Sequence, residues 1–490
     1  MQPAFEHMPM SLCRVLLIAQ CFVACSPRSD PPEPRSDHPL ADFENQLTEM
    51  LPPLQEAYLV PGVAVGVIHD GEIFLKRGFG FADASEQRPV DASTAFNIGS
   101  ISKTVAAWGA MKLVETGRID LDAPVARYLT RWQLPASEFD HDGVTMRRLL
   151  SHTSGLSLHG YSGFGPDDPL PSIEESLSGS TNGAGAVYVA HEPGSKWQYS
   201  GGGYTLAQLI VEELTGKSFA EFMESEVLVP LGMTDSSYVW NEQIDRIAAT
   251  PYDGAGNPIQ ASRFTAMAAA GLQTTLDDFI RFALANVGGA GNDEDESTSR
   301  LLRHETIEVM HRPVHPADDY GLGFEVEERD GAVLVGHSGS NVGWMARFKF
   351  IPKTGDAVVI MTNDSNGGAI RDAVACEWQA RLLGEICDRK PELPVHIDES
   401  LLLPLEGRYP VPDGPVLEFR VVDGHLFSYF DRGFRYRALA RSKTEFFLPA
   451  APLSFEFELD KDGHAASMRF QDGDQPVKIA LRVDAPTSER

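Results

Sequence analysis

The sequence is poor in cysteine, in basic residues and in long apolar runs. Only five of its 490 residues are cysteine, and three of those fall within the first 25. Cys376 and Cys387 alone remain for the folded part. Two cysteines cannot staple a scaffold, and no Cys/His spacing or His-Glu-x-x-His marks a metal site. No metal or cofactor is expected. The two cysteines are eleven residues apart in or beside one predicted helix, which would separate their Cα atoms by about 16 Å. A disulfide tolerates less than about 7 Å, so two free, buried thiols are expected unless the helix breaks at Gly384. Lys and Arg total 41 against 70 Asp and Glu, a net charge of −29. No Lys/Arg cluster stands out against that field, which argues against nucleic acid as a partner and disfavours anionic membrane surfaces. No run is long enough to span a bilayer, and no internal repeat is visible.

The apolar stretch Val15–Ala24 behind Arg14 is short and reads as the core of an export signal, residues 1–24. It ends Phe22-Val-Ala-Cys25-Ser, which resembles a bacterial lipobox. Cys25 would then be lipidated and would begin the mature chain. Phe22 stands where leucine or valine is usual, and plain secretion is the alternative. Residues 25–40, rich in Pro, Ser and charge, read as a tether. A periplasmic protein is expected, touching the membrane only through that lipid.

The rest alternates between two periods. Asp42–Tyr58 reads as a helix broken or kinked at Pro52-Pro53. Val63–Ile68 and Ile73–Gly80 read as a hairpin turned at Asp70-Gly71. A buried helix, Thr104–Thr116, ends at Gly117. Val144–Leu156 is a short helix running into a turn, where His152 reads as a structural histidine closing a helix end. Leu158–Gly185 is a long loop with Tyr161 and Phe164 as its exposed aromatics. Further helices are predicted at Thr205–Leu214, Asp277–Asn286, Ser299–His311 and Ile370–Leu383, and Ser218–Glu221 is a capping box. From Tyr320 the period becomes two, with strands at Gly321–Glu328, Ala332–Gly336, Met345–Ile351 and Ala357–Thr362. Strands from both ends of this stretch with helices between them predict an α+β fold, an antiparallel sheet with a helical cluster. The boundaries expected are a main domain over 41–390, a linker over 391–404 and a small all-β domain over 405–490.

Within this frame Ser100-Ile-Ser-Lys103 stands where a β-rich lead-in meets the buried helix. Residues three apart share a helix face, so the hydroxyl and the amine can meet. A serine hydroxyl needs a base, and an amine kept neutral by burial can be one. The helix start adds free N–H groups and partial positive charge. Two more short motifs follow in order, Tyr199-Ser-Gly201 and His337-Ser338-Gly339.

The ordered set, with Leu149-Leu-Ser-His-Thr-Ser-Gly-Leu156 and Thr362-Asn363, resembles the serine β-lactamase and penicillin-binding superfamily. The closer likeness is to its class C-like branch of β-lactamases, D,D-peptidases, D-aminopeptidases and esterases. The resemblance covers about Asp42–Leu383. It implies Ser100 as nucleophile, Lys103 as its base and Tyr199 as proton shuttle, provided the tyrosine's pKa is lowered. It places His337, Ser338 and Gly339 on a cleft-lining strand, with the backbone N–H groups of Ser100 and Ser340 as the oxyanion hole. Gly201 stands where relatives usually carry Asn. His337 replaces a lysine, so a fixed charge becomes one expected to titrate near pH 6.5. Both departures point away from β-lactams towards a small ester or amide. A D-stereospecific peptidase, a true β-lactamase and a silent binder of cell-envelope peptides remain the alternatives. The terminal β domain resembles the lipocalin-like appendage of some relatives. A literal Lys353-Thr354-Gly355 is read as a hairpin turn.

Overall fold

The computed structural model describes residues 38–287, 301–387, 391–430, 435–449, 453–473 and 475–483. The expected signal, Cys25 and nearly all of the tether lie outside them. Among the described residues no helix is long and apolar enough to cross a membrane.

Phe43, Leu47, Leu51, Leu54 and Tyr58 recur at helical spacing and form the buried face of α1 (Phe43–Tyr58). The helix runs through Pro52 and Pro53 without the expected break. Both prolines, and the residues four back whose carbonyls they leave unbonded, are exposed, so water can serve those carbonyls. The strands β1 (Gly62–His69) and β2 (Glu72–Asp83) form the expected hairpin. Asp70 and Gly71 both have positive φ, 51° and 78°, as a two-residue turn of this hand demands. Short strands β3 (Arg88–Pro89) and β4 (Ala95–Asn97) lead to α2 (Ser102–Glu115). The helical cluster continues with α3 (Met146–Leu150), α4 (Ile173–Leu177), α5 (Gly201–Thr215), α6 (Phe219–Met223), α7 (Glu242–Ile247) and α8 (Met267–Ala270). Strand β5 (Gln273–Thr275) pairs with β4, and α9 (Leu276–Val287) and α10 (His304–Met310) follow. The chain then returns to strands: β6 (Glu325–Arg329), β7 (Ala332–Asn341), β8 (Trp344–Ile351) and β9 (Asp356–Thr362), closed by α11 (Gly367–Leu383).

The main sheet has the order β3-β2-β1-β9-β8-β7-β6, antiparallel throughout. Gly62–Ile68 of β1 is buried on both faces. One face packs against α1 and α11, where Leu47, Leu51, Val63, Val65, Ile360 and Trp378 share a core. The other carries the helical cluster, joined by contacts such as Phe279 with Phe348 at 5.2 Å.

Four expectations are corrected here. The long loop contains α4, opened by a capping box of Ser172 and Glu175. Tyr161 in that loop is only partly exposed, its hydroxyl 2.6 Å from Thr205 Oγ1. The glycines Gly201–Gly203 do not precede a helix but form the first turn of α5, capped by Ser200. Cys376 and Cys387 are bonded in a disulfide with Cα atoms 5.4 Å apart. The straight-helix distance fails because α11 stops at Leu383 and Gly384, at φ 72°, turns the chain back.

After α12 (Glu399–Leu402) the chain is β-rich. One sheet runs β10 (Gly407–Pro410), β11 (Val416–Val422), β12 (His425–Tyr429) and β13 (Arg435–Arg437). The second runs β14 (Leu439–Ala440), β15 (Glu445–Leu448), β16 (Leu453–Leu459), β17 (Ala465–Asp472) and β18 (Lys478–Leu481). Every consecutive pair within each sheet is antiparallel. Strand β13 passes into β14 through Ala438, and a bridge between Arg408 and Val483 joins the far edges. The strands thus wrap as an up-and-down barrel, filled by Tyr409, Phe419, Phe446, Phe455 and Phe457. It is also fastened to the main body: Leu439 and Phe447 enter the α1–α11 core, and Leu40–Arg490 forms one compact unit.

Candidate active site

Between β4 and α2 lies one turn of 3-10 helix, Gly99–Ile101. Gly99 has φ +52°, and a Cβ there would lie 2.5 Å from the Ser340 nitrogen; conformation and space both require glycine. Asn97 Oδ1 accepts from Gly99 N–H at 2.8 Å and from Asn341 Nδ2 at 2.6 Å. Ser102 Oγ donates to Gly99 O at 2.6 Å and accepts from Leu272 N–H at 3.0 Å. These bonds fix the corner that carries Ser100.

Lys103 lies one turn on, and its Nζ is 3.2 Å from Ser100 Oγ and 2.7 Å from the Ala269 carbonyl, to which it donates. The side chain is 2% exposed. The rings of Tyr199 and Tyr204 stand 4.8 and 5.7 Å from Nζ. Among the described residues no carboxylate pairs with it. Burial without a countercharge pulls its pKa from 10.5 down to about 7. A neutral amine is therefore available at neutral pH, the state a base must have.

Tyr199 stands just before α5, and it lines the same cavity as Ser100. The expectation of a lowered pKa is not met: burial pushes Tyr199 above the ordinary tyrosine value. With Lys103 neutral no positive charge stands beside it to favour a phenolate, so Tyr199 is a neutral donor and acceptor in this state.

His152 holds Tyr199 from three sides. Its Nδ1 accepts from Ser200 N–H at 3.0 Å, its carbonyl accepts from Gln198 N–H at 2.8 Å, and its ring lies 4.2 Å from the Tyr199 ring. It does so from φ +59°, a costly conformation for a residue with a Cβ. Burial, with Lys103 next, drives its pKa far down, so it positions the tyrosine as a neutral ring. At Gly201 an added Cβ would lie 3.0 Å from the His159 carbonyl, and the residue lines the cavity with no side chain of its own.

The third motif lies inside β7, which runs through His337, Ser338, Gly339 and Ser340 rather than stopping at Gly336. A Cβ at Gly339 would lie 1.9 Å from the Ile98 carbonyl, so this glycine lets the strand press against the Ser100 corner. That approach brings the Ser340 nitrogen to Gly99. His337 departs from expectation. It is 2% exposed, its Nε2 is 2.8 Å from the Tyr320 hydroxyl, and its Nδ1 is 2.6 Å from the Ser338 carbonyl. A carbonyl only accepts, so Nδ1 carries the proton and Nε2 accepts from Tyr320. Burial lowers its pKa although Glu325 opposes the shift; it is a neutral ring near pH 7, not a titrating cation. Lys353 lies exposed on the β8–β9 turn, against the β1–β2 turn through Gly71 N–H donating to Gly355 O.

Ser100, Lys103, Tyr199, His337, Ser338 and Ser340 line one cavity of about 360 Å³. The residues the motifs did not reveal are Ala269, whose carbonyl holds Lys103, and Glu325, Asn341, Tyr320 and Trp197. Asn341 had a faint signal, one residue beyond Ser340. A carbonyl such as that of Ala269 has none.

A family model described as Beta-lactamase matches residues 47–376. Penicillin-binding protein 4* of Bacillus subtilis (strain 168) is 26% identical over 455 residues, 84% of this chain and 93% of that protein. Esterase EstB of Burkholderia gladioli is 34% identical over 214 residues, 42% of this chain and 54% of the esterase. The solved structure of an octameric penicillin-binding protein homologue from Pyrococcus abyssi superposes with a TM-score of 0.58 at 25% identity, covering 90% of this chain and all of that one.

Proposed function

The chain belongs to the beta-lactamase family, and from that premise we propose that it is an exported serine hydrolase cleaving a small ester or amide through an acyl-enzyme on Ser100. The observation that carries this is the buried Lys103 amine, 3.2 Å from Ser100 Oγ with no countercharge. Ser100 Oγ attacks the substrate carbonyl as Lys103 takes the hydroxyl proton. The negative oxygen faces the backbone N–H groups of Ser100 and Ser340. The Tyr199 hydroxyl, neutral throughout, relays the proton by donating its own to the leaving group as it accepts the one Lys103 took, and water then enters on the same route to release the acid.

Two features favour the ester or small amide. His337 supplies no cation for a substrate carboxylate, and Gly201 brings no side-chain amide to the substrate. A second reading, a D-stereospecific peptidase or β-lactamase, is favoured by the likeness to a penicillin-binding protein over 84% of this chain. A silent binder would gain nothing from an uncharged buried lysine beside a serine. The Cys376–Cys387 disulfide supports an oxidising compartment, hence export; the lipid on Cys25 and the division into tether, main domain and β domain belong to the same proposal.

A fluorophosphonate probe should add one adduct to a peptide containing Ser100, and none to Ser100→Ala. Equal labelling of that variant refutes the assignment. Parallel assays with p-nitrophenyl esters, D-amino-acid amides and a chromogenic cephalosporin separate the two readings.

A further inference from the structure

Glu325 opens β6 and stands opposite Gly336 of β7. Its Oε1 accepts from the Ser338 hydroxyl at 3.0 Å and from Ser338 N–H at 3.3 Å, and lies 3.8 Å from His337 Nδ1. It lines the cavity that holds Ser100. It also lines a larger neighbouring cavity of about 540 Å³ that shares Trp197, Tyr199 and His337 with the first. Burial pushes the Glu325 pKa up, but the Arg347 charge and the two Ser338 donors act against it, so beside a neutral His337 the carboxylate is ionised at neutral pH.

The two cations on the larger cavity's wall are already engaged. Arg347 is 3.0 Å from Asp372, and Lys349 is 2.7 Å from Glu327. His337 is neutral. Asp318 and Asp319 lie on the same wall, and neither has an ion-pair partner among the described residues. Trp197 is 41% exposed and its ring stands 6.3 Å from that of Tyr199. An anionic carboxylate and an open aromatic face next to a nucleophile suit one kind of ligand, a cation that gains from both.

We propose that the cleft selects a substrate bearing a protonated amine or quaternary ammonium beside the scissile ester or amide, and that Glu325 determines this selection. The reading of Ser100 as a nucleophile supplies the chemistry on which this rests; the charge selection itself is a property of binding. An acyl donor ending in a carboxylate would meet Glu325, Asp318 and Asp319 where Arg347 and Lys349 are already paired with Asp372 and Glu327, and is rejected.

The test uses the full chain as Ser100→Ala, so that nothing is turned over. Three short amides of equal length, ending in trimethylammonium, methyl or carboxylate, are titrated by calorimetry. The ammonium ligand should bind at least about tenfold tighter than the carboxylate ligand, with the methyl ligand between them. Adding Glu325→Gln should collapse most of that ratio, since a glutamine can still accept from Ser338. High salt should shrink the ratio in Ser100→Ala alone, which keeps the test valid if the double variant fails to fold. Equal affinities, tighter binding of the carboxylate ligand, or a ratio untouched by both Glu325→Gln and salt would overturn the proposal. Charge-selective binding without fluorophosphonate labelling of Ser100 would sink the hydrolase reading alone. Labelling without charge selection would sink this one alone.

Discussion

Replacing Lys103 by Met should stabilise the fold at low pH, and the gain should fade as pH rises. An unfolded lysine keeps its proton up to about 10.5, whereas the buried Lys103 releases it near 7. Between those values the unfolded chain binds one proton more than the folded one, so wild-type stability climbs with pH. Below 7 the ammonium is buried at full cost. The interval amounts to about 5 kcal/mol. Methionine fills a similar volume with no charge to desolvate. It also leaves the Ala269 carbonyl, now bonded at 2.7 Å, without its donor, a loss of about 1–3 kcal/mol that does not vary with pH. The pH-dependent part is therefore the clean observable. From pH 6.5 to 9 the stability advantage of Lys103→Met over wild type should shrink by about 2.5 kcal/mol. Urea unfolding at four pH values, with equal m-values, measures it. Parallel stability curves would show that Lys103 is solvated or paired in solution, and the argument for a neutral base would fall with it. In wild type the same titration should appear as an acid limb in kcat/KM, activity dropping about tenfold per pH unit below about 7.

Tyr199→Phe should lower kcat about a hundredfold or more while the far-ultraviolet circular dichroism stays unchanged, since only the proton path is cut. His152→Ala should lower kcat at least about tenfold with a smaller change in KM; His152→Asn, which tolerates positive φ and can accept from Ser200 N–H, should recover most of it. Gly339→Ala forces a Cβ against the Ile98 carbonyl; activity should fall about a hundredfold, with a loss of about 2 kcal/mol or more in urea unfolding. Lys353→Ala should leave kcat and KM near wild type, because six residues of β8 separate its turn from the Ser340 end of the strand, about 20 Å of extended chain. Cys376→Ser opens a loop of eleven residues and should cost about 3 kcal/mol without changing kcat.

The parts of the site made by side chains in short motifs were legible in the sequence. Ser100 with Lys103 follows from spacing at a helix start, the Tyr199 and His337–Ser340 neighbourhoods from the order of motifs and the family likeness, while the period-two pattern ended the strand four residues short of Ser340. The electrostatic state was not legible. His337 was expected to titrate from its residue type, and a lowered pKa was the condition set on Tyr199 as a shuttle, yet burial works against both. The Cys376–Cys387 bond was missed because helix geometry was extended across Gly384, where a positive φ ends it. His152 was read as closing a helix end. Its grip on Tyr199 joins residues about fifty apart, and no local pattern reports such a contact. The all-β character of the C-terminal domain was visible in the sequence, whereas the edge bridge between Arg408 and Val483 is a closure only three dimensions can show.

The pairing of β1 with β9 at the centre of the main sheet has a kinetic consequence. Val63 lies opposite Thr362, roughly 300 residues later in the chain. A growing polypeptide makes the β1–β2 hairpin early, and must then wait for nearly all of the helical cluster before β1 finds its second neighbour. Through that wait β1 offers an unpaired edge and two apolar faces, a template for pairing with another chain. The closure entropy of so long a loop is met late, so refolding from urea should be slow and should lose yield as protein concentration rises. A circular permutant that links the end of the β domain to the start of α1 and opens the chain in the helical cluster would leave only α11 and the β domain between β9 and β1, cutting their separation to roughly half. It should refold faster than the natural order of elements at equal final stability.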